Sequence, residues 1–319
     1  MSKYAFLFPG QGAQAPGMIK DVAESSSAAK KVIDDFSSIV NVDMAKLLWD
    51  TDADTLSRSD NSQIAITAAS LAIMAALKEK GIEPSCAMGF SLGEFPALYA
   101  AGVLSFEDVA NVVRQRGLIM QAVCEEIAAA NEGHAPGMSA IIGLPPEKVK
   151  EIASSIPDAY AANMNSVKQT VISGTFDALT AAEKAATEAG ARRALRLKVA
   201  GPFHSPLMQK AAEGFEKVLS GVTFNDPKIH LFSNVTGKEV SKGEDAKKAA
   251  VLHLTHPVLW TDEEAVLASI IQSEGGAENW AVLEPGPGKV LTGLWGQTEF
   301  GATIAATPVN SKESLDSLA

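Results

Sequence analysis

The stretch Gly89-Phe90-Ser91-Leu92-Gly93 places a serine between two glycines, where a short apolar segment gives way to an amphipathic one. The preceding residues, 86–88, are typical of a buried strand, and residues 92–101 have the pattern of a helix. A strand that turns directly into a helix at G-x-S-x-G has the layout of a nucleophile elbow. Glycine lacks a Cβ, so these positions permit the tight turn and the close backbone approach that the layout needs.

Ser91 has two interpretations at this point. In an elbow, its hydroxyl stands at a helix N-terminus, where free N–H groups and the helix dipole favour a developing oxyanion. Alternatively, the pattern marks an ordinary strand-to-helix turn, because a bare G-x-S-x-G often occurs by chance. The stretch alone leaves both interpretations open.

Composition excludes several classes of protein. The chain has 319 residues and 46% hydrophobic content, enough for one large core or a core with a smaller insert. Its 27 basic residues are outnumbered by 38 acidic ones, which argues against a general nucleic-acid binder. Cys86 and Cys124 show neither metal-ligand spacing nor a disulfide framework, so we predict no metal and a reduced, cytoplasmic setting.

The longest apolar run covers residues 64–77. It falls short of the roughly 20 residues that span a bilayer, so we expect a buried helix and no membrane association.

Strands and helices alternate through the first half of the chain, which predicts an α/β fold with a parallel sheet. After a break at residues 131–137, the order becomes β-α-β-β-α-β, with the last strand at 194–200, as in a ferredoxin-like subdomain. We therefore predict a core formed by residues 1–130 and 198–319, with a ferredoxin-like subdomain, 131–197, inserted into it.

A serine nucleophile needs a general base, and His204 is the candidate among five histidines. It follows the predicted strand 194–200, and open α/β sheets place their sites in loops at strand ends. Structural roles are expected for the others, which are His134, His230, His253 and His256. No carboxylate lies near His204 in sequence, so a backbone carbonyl can hold its tautomer instead.

The turn Pro9-Gly10-Gln11-Gly12 follows the first predicted strand. Either its glycines serve a sharp bend alone, or the turn also brings a backbone N–H group to the sheet edge as a second oxyanion donor. Both interpretations stay open, and the presence of an elbow on the same edge favours the second.

Five motifs together resemble those of malonyl-CoA:acyl carrier protein transacylases. The resemblance runs in order over almost the whole chain. The motifs are Phe8-Pro9-Gly10-Gln11-Gly12, Gly89-Phe90-Ser91-Leu92-Gly93-Glu94, Gln115-Arg116-Gly117, Gly201-Pro202-Phe203-His204-Ser205 and Glu284-Pro285-Gly286-Pro287-Gly288. The resemblance implies an α/β-hydrolase-like acyltransferase core with a ferredoxin-like insert.

The resemblance also implies catalytic roles. Ser91 matches the nucleophile that takes the malonyl group from coenzyme A, and His204 matches its base. Gln11 and Leu92 match the backbone donors of the oxyanion hole, and the carbonyl that steadies the histidine is expected near Leu259. No cofactor is implied, because the coenzyme A thioester is itself the substrate.

Two further matches concern the acyl group. Arg116 matches the arginine that pairs with the free malonyl carboxylate, which a guanidinium can hold through both oxygens at once. Phe203 resembles the bulky residue beside the histidine in malonyl-selective members. Three positions depart from the pattern: Phe90, in the substrate-binding region, replaces the usual histidine, Ala13 replaces a serine, and Leu259 replaces a common glutamine.

The implied partners are malonyl-CoA and acyl carrier protein, in fatty acid synthesis. Arg192 and Arg193 are the candidate carrier-docking residues on an acidic chain, although they also suit a solvated strand start. Three alternatives stay open: an acyltransferase that loads a polyketide synthase, an acyl hydrolase of the same fold, and a non-catalytic binding protein.

Overall fold

The computed structural model of the chain describes residues 3–131 and 133–318. The strands are β1 (Lys3–Phe8), β2 (Cys86–Gly89), β3 (Gly137–Ile142), β4 (Ala159–Ser166), β5 (Gln169–Gly174), β6 (Arg193–Arg196), β7 (His230–Ser233), β8 (Lys238–Glu239), β9 (Trp280–Pro285) and β10 (Ala306–Val309). The helices are α1 (Lys20–Ser25), α2 (Ser27–Val40), α3 (Met44–Trp49), α4 (Ala53–Ser57), α5 (Ser59–Glu79), α6 (Glu94–Ala100), α7 (Phe106–Ala130), α8 (Pro146–Ser154), α9 (Phe176–Glu188), α10 (Gln209–Ser220), α11 (Gly243–Leu252), α12 (Trp260–Ser273), α13 (Val290–Trp295) and α14 (Lys312–Asp316). Short 3₁₀ turns cover Ser91–Gly93, Pro206–Met208 and Gly276–Glu278.

Within the described residues, a six-stranded sheet has the order β10-β9-β1-β2-β7-β8. Its strands are parallel except for β8, which pairs antiparallel with β7. In the register of β1 against β2, Phe8 lies opposite Gly89. The turn after β1 and the elbow after β2 therefore leave the sheet side by side at one edge, and the predicted parallel α/β fold is confirmed.

A smaller antiparallel sheet has the order β4-β5-β3-β6. Together with α8 and α9, these strands follow the chain order βαββαβ of a ferredoxin-like unit, which confirms the predicted fold class. The unit lies inside the predicted insert. The domain boundaries stay a prediction, and the break before β3 contains Glu132, which lies outside the described residues.

Helix α5 is the central helix of the main hydrophobic core. It packs against α2 and α7, and almost every residue from Ile64 to Leu77 is buried. The buried helix predicted for residues 64–77 is therefore confirmed. None of the helices in the described part of the chain combines the length and hydropathy needed to cross a membrane.

Backbone hydrogen bonds around Val258 connect the small sheet to the segment between α11 and α12. The Val258 N–H donates to the Ala162 carbonyl at 2.8 Å, and its carbonyl accepts from the Met164 N–H at 2.9 Å. Both partners belong to β4, and the next N–H group, that of Leu259, donates to the Asn234 carbonyl just after β7 at 2.8 Å. This segment therefore links the small sheet to the end of β7.

The strand predicted for residues 194–200 is shorter than expected. Strand β6 ends at Arg196 and belongs to the small antiparallel sheet, where it pairs with β3 at the edge. Residues 197–200 leave that sheet and line the cleft described below. His204 therefore does not follow a strand of the parallel sheet, and the topological argument used for it was wrong.

Candidate active site

The turn after β2 is strained in the manner of a nucleophile elbow. Ser91 has a φ of 52°, in the left-handed region that residues with a Cβ seldom adopt. A Cβ on Gly89 would lie 1.8 Å from the Gly93 carbonyl oxygen, and one on Gly93 would lie 2.0 Å from the Phe8 carbonyl oxygen. Glycine is therefore required on both sides, and this geometry favours the elbow over an ordinary turn.

Asn234, at the end of β7, holds the elbow in place. Its Oδ1 accepts the Ser91 backbone N–H at 2.7 Å, and its Nδ2 donates to the Gly89 carbonyl at 2.7 Å and to Glu263 Oε1 at 2.8 Å. Sequence reasoning missed this fully buried residue. The available signal was an amide side chain at the carboxyl end of a strand next to β2.

Ser91 and His204 lie in hydrogen-bond contact, with Oγ 2.8 Å from Nε2. On the other side of the ring, Nδ1 lies 2.8 Å from the carbonyl oxygen of His253. Since a carbonyl can only accept, Nδ1 carries the proton and Nε2 accepts from the serine hydroxyl. Burial, helped by the charge of Arg116, lowers the pKa of His204 to about 4, so the ring is neutral at pH 7.

The prediction that the Leu259 carbonyl steadies this histidine was wrong. That carbonyl accepts from the backbone N–H groups of Asp262 at 3.1 Å and Glu263 at 3.2 Å, at the start of α12. The carbonyl of His253 serves instead. His253 follows the last residue of α11, and carbonyls at a helix C-terminus lack partners within their helix.

The two expected oxyanion donors lie beside Ser91. Leu92 is the next residue, in the 3₁₀ turn. Gln11 follows Gly10, where a Cβ would lie 2.4 Å from the Phe90 carbonyl oxygen, so the β1 turn presses directly against the elbow. Among the described residues the Gln11 N–H has no acceptor, and it remains available to an oxyanion. The two donor roles stay predictions.

Arg116 is a buried cation in the same cleft. It is 2% exposed, donates from Nη1 to Gln63 Oε1 at 2.8 Å, and lies 5.3 Å from the centre of the Phe95 ring. Its Nε and Nη2 have no partner among the described residues. Burial lowers its pKa to about 10, which leaves it charged at pH 7. A buried, partly unpaired guanidinium is suited to a carboxylate ligand.

Two aromatic residues form apolar walls of the cleft. Phe203 is 8% exposed, and its carbonyl accepts the Ser173 hydroxyl. Phe90 packs edge-on against Trp260, with ring centres 5.4 Å apart. The side chain at position 90 therefore contributes shape and no charge.

The cleft lies between the two sheets and has a volume of about 540 Å³. Ser91, His204 and Arg116 all line it, so the structure brings together residues far apart in sequence. Sequence reasoning missed the amides Asn163 and Asn165, which alternate along β4 and give the small-sheet wall polar groups. Among residues 3–131 and 133–318, no group of three or more His, Cys, Asp or Glu could hold a metal ion.

Arg192 and Arg193 lie outside the cleft. Both are exposed at the start of β6, at the opposite end of that strand from the residues that line the cleft. Arg196, on the same strand, is paired with Glu183 at 2.7 Å. A docking role for Arg192 and Arg193 stays a prediction.

Comparison with known proteins agrees with this site. The family model described as "Acyl transferase domain" matches residues 5–275. Fold, site and match together define the class of the chain as an acyltransferase.

Comparison with individual relatives identifies the family within this class. Malonyl CoA-acyl carrier protein transacylase of Bacillus subtilis is 39% identical over 298 residues, covering 92% of this chain and 90% of the relative. The structure of an acyl carrier protein S-malonyltransferase from Vibrio cholerae is 35% identical, with a TM-score of 0.89 and 100% coverage of both chains. A malonyl-transacylase structure in complex with a type II polyketide synthase acyl carrier protein is 34% identical, with a TM-score of 0.89, covering 99% of this chain and 98% of that one. The chain belongs to the malonyl CoA-acyl carrier protein transacylase family.

Proposed function

We propose that the chain transfers the malonyl group from malonyl-CoA to the phosphopantetheine thiol of acyl carrier protein, through an ester on Ser91, for fatty acid synthesis. The names of the relatives support the substrate and the carrier. The observation that carries the mechanism is one cleft that holds the 2.8 Å contact between Ser91 and His204 together with the free N–H groups of Arg116.

In the first half-reaction, the malonyl carboxylate pairs with Arg116 and the thioester carbonyl lies over Ser91. Nε2 of His204 takes the hydroxyl proton while Oγ attacks the carbonyl carbon. The oxyanion accepts from the N–H groups of Gln11 and Leu92. When the carbon–sulfur bond breaks, the imidazolium gives its proton to the sulfur of coenzyme A, which leaves as a thiol.

The second half-reaction is the reverse, with a different thiol. Nε2 of His204 takes the proton of the phosphopantetheine thiol while sulfur attacks the ester carbonyl carbon. When the carbon–oxygen bond to Ser91 breaks, the imidazolium gives its proton to Oγ. Hydrolysis is slow if water is poorly placed to attack, and the apolar rings of Phe90 and Phe203 beside the ester limit the water there. Coenzyme A acts as a substrate, and no further cofactor enters either step.

The alternative carrier is that of a polyketide synthase. The similarity to a transacylase solved with a type II polyketide synthase carrier favours testing it. The chemistry at Ser91 is the same for both carriers. Discharge of the malonyl-enzyme onto each purified carrier, compared at equal concentration, decides between the two pathways, whereas loss of the ester in buffer alone would indicate a hydrolase.

The nucleophile is tested by intact-mass measurement after mixing with malonyl-CoA. The wild type should gain one malonyl group, and Ser91→Ala should gain none while still binding malonyl-CoA. Ser38→Ala removes an exposed hydroxyl from α2 and serves as the matched control that still becomes acylated. An adduct on Ser91→Ala would contradict the proposal.

A further inference from the structure

The imidazole of His253 lies directly behind the candidate base, and the proposed reaction gives it no role. Its ring centre is 5.0 Å from that of His204, and the side chain is fully buried. The backbone carbonyl of the same residue accepts the His204 Nδ1–H. Contacts that fix the His253 side chain therefore also fix the position of the carbonyl that orients His204.

Glu94 is the acidic side chain that faces this imidazole. Its Oε2 lies 3.3 Å from His253 Nδ1, at the outer limit of hydrogen-bond distance. Among the described residues, Glu94 Oε2 and both ring nitrogens of His253 are buried and make no aligned hydrogen bond. Buried polar groups are nearly always paired, and the 3.3 Å separation makes each of these two unpaired side chains the available partner of the other.

Both groups are neutral at pH 7. Burial raises the pKa of Glu94 to about 8, although the Asn234 backbone N–H and the charge of Arg116 oppose the rise. Burial also lowers the pKa of His253, and the charge of Arg116 acts in the same direction. The carboxylic acid can therefore donate its proton to Nδ1 without creating an ion pair.

We propose that Glu94 and His253 form a positioning pair that locks the geometry between Ser91 and His204. Glu94 opens α6, immediately after the elbow, and His253 follows α11. The pair ties the element that carries the nucleophile to the carbonyl that orients the base. Ser91 contacts His204, whose ring is held by the His253 carbonyl. The His253 ring in turn lies beside Glu94, which follows the elbow that carries Ser91.

This inference rests on the proposed function, because its effect is on the acylation of Ser91. Small displacements of a reacting group are costly: a shift of about 1 Å can reduce a rate by roughly 100-fold. Without the pair, the carbonyl at position 253 is free to move, and Nε2 of His204 is no longer held in hydrogen-bond geometry with the Ser91 hydroxyl.

The test uses the full-length chain with His253→Leu, His253→Gln and the double variant Glu94→Leu with His253→Leu. His253→Leu leaves the Glu94 carboxyl unpaired. Glutamine restores a side chain that can hydrogen-bond to it. The double variant removes both polar groups. If His253→Leu is destabilised only by its unpaired buried carboxyl, the double variant regains that stability. Each variant is assayed for Tm, for the acylation rate at saturating malonyl-CoA, and for KM.

We expect His253→Leu to lower Tm and to lower the acylation rate tenfold or more with little change in KM. His253→Gln should recover most of the rate. The double variant should recover Tm but stay slow, because the tether between α6 and α11 is still missing. If the double variant regains both Tm and rate, the pair only satisfies buried polar groups and the proposal is overturned. Where His253→Leu alone does not fold, the double variant carries this test.

A second readout does not depend on the substrate. With ¹⁵N-labelled histidine, the low-field proton on His204 Nδ1 reports its hydrogen bond to the His253 carbonyl. We expect its exchange with water to be faster in His253→Leu and in the double variant than in the wild type. Unchanged exchange in both would overturn the proposal. If wild-type Ser91 is not acylated by malonyl-CoA, the proposed function fails, whereas this signal still tests the pair.

Discussion

Arg116 has two nitrogens without a partner among the described residues, although its side chain is almost fully buried. A hydrogen bond to a charged group contributes about 1.5 to 3 kcal/mol, and an unpaired buried charge is unfavourable. A substrate that brings a carboxylate to Arg116 therefore gains affinity that a substrate without one lacks. We propose that this difference is the basis on which the acyl group is selected.

Arg116→Ala should lower kcat/KM for malonyl-CoA by about ten- to a few hundred-fold, the equivalent of losing one charge-assisted contact. Transfer from acetyl-CoA should stay unchanged or become faster, because the variant has no buried cation left unpaired. The matched control is Arg114→Ala, which removes an arginine from the same helix but outside the cleft. Equal losses for both donors in Arg116→Ala would mean that the residue supports the fold or the coenzyme A moiety.

The profile of reaction rate against pH should have its acid limb at unusually low pH, because of His204. The ring accepts the serine proton only when neutral, and that form predominates above its pKa of about 4. The rate at which a neutral sulfonyl fluoride modifies Ser91 should therefore be level near pH 7 and fall by half near pH 4. Because the charge of Arg116 contributes to the low pKa, Arg116→Ala should move this limb to higher pH. A wild-type limb near the ordinary histidine value would show that the ring is not held buried.

At the scale of secondary structure elements, the elbow depends on how closely β1, β2 and α6 approach one another. Gly93 lies against the backbone of β1, and Asn234 at the end of β7 fixes the Ser91 N–H. Neighbouring strands of the sheet therefore contribute to one strained turn, whose cost is offset by the packing of whole elements.

Gly93→Ala should destabilise the fold by about 3 kcal/mol or more, since the added methyl would collide with backbone that cannot rotate away. Gly293→Ala is the control, because Gly293 lies within α13 with nothing within 4 Å of its Cβ position. Alanine there should stabilise the chain by about 0.5 to 1 kcal/mol. Urea denaturation of both variants measures the two free energies of unfolding, and similar values would contradict the close packing of the elbow.

At the scale of the whole molecule, the site lies where two sheets meet, and the carrier must approach a chain of net charge −11. The exposed Arg192 and Arg193 lie on the edge strand of the small sheet, where a protein partner can reach them. The docking hypothesis assumes a carrier with an acidic surface, because oppositely charged surfaces raise the rate of encounter and salt screens the effect.

Arg192→Glu combined with Arg193→Glu should raise the carrier KM and weaken its salt dependence, while acylation by malonyl-CoA stays unchanged. The control, Lys30→Glu with Lys31→Glu, makes the same charge change on α2, which provides none of the cleft residues. The two half-reactions are measured separately by mass spectrometry. An equal loss of rate in both half-reactions, or the same effect in the control variant, would show that the two arginines take no part in docking.

Local sequence determined the elements and the elbow. The run of residues 86–101, with its paired glycines, predicted β2, the turn and α6, because sterics between near neighbours dictate such a turn. The βαββαβ order predicted the small sheet because each of its strands and helices is specified by the periodicity of its own residues. The apolar run of residues 64–77 was sufficient to predict one buried helix.

The tertiary structure alone decided the long-range contacts. The carbonyl that orients His204 belongs to His253 and not to Leu259, because a helix uses the carbonyl at its start and leaves those at its end free. Asn234 and Glu94 acquire their contacts from strands and helices that pack together after folding. Sequence determined which groups the chain carries, and packing determined which of them meet, because hydrogen bonds depend on distances that sequence spacing does not specify.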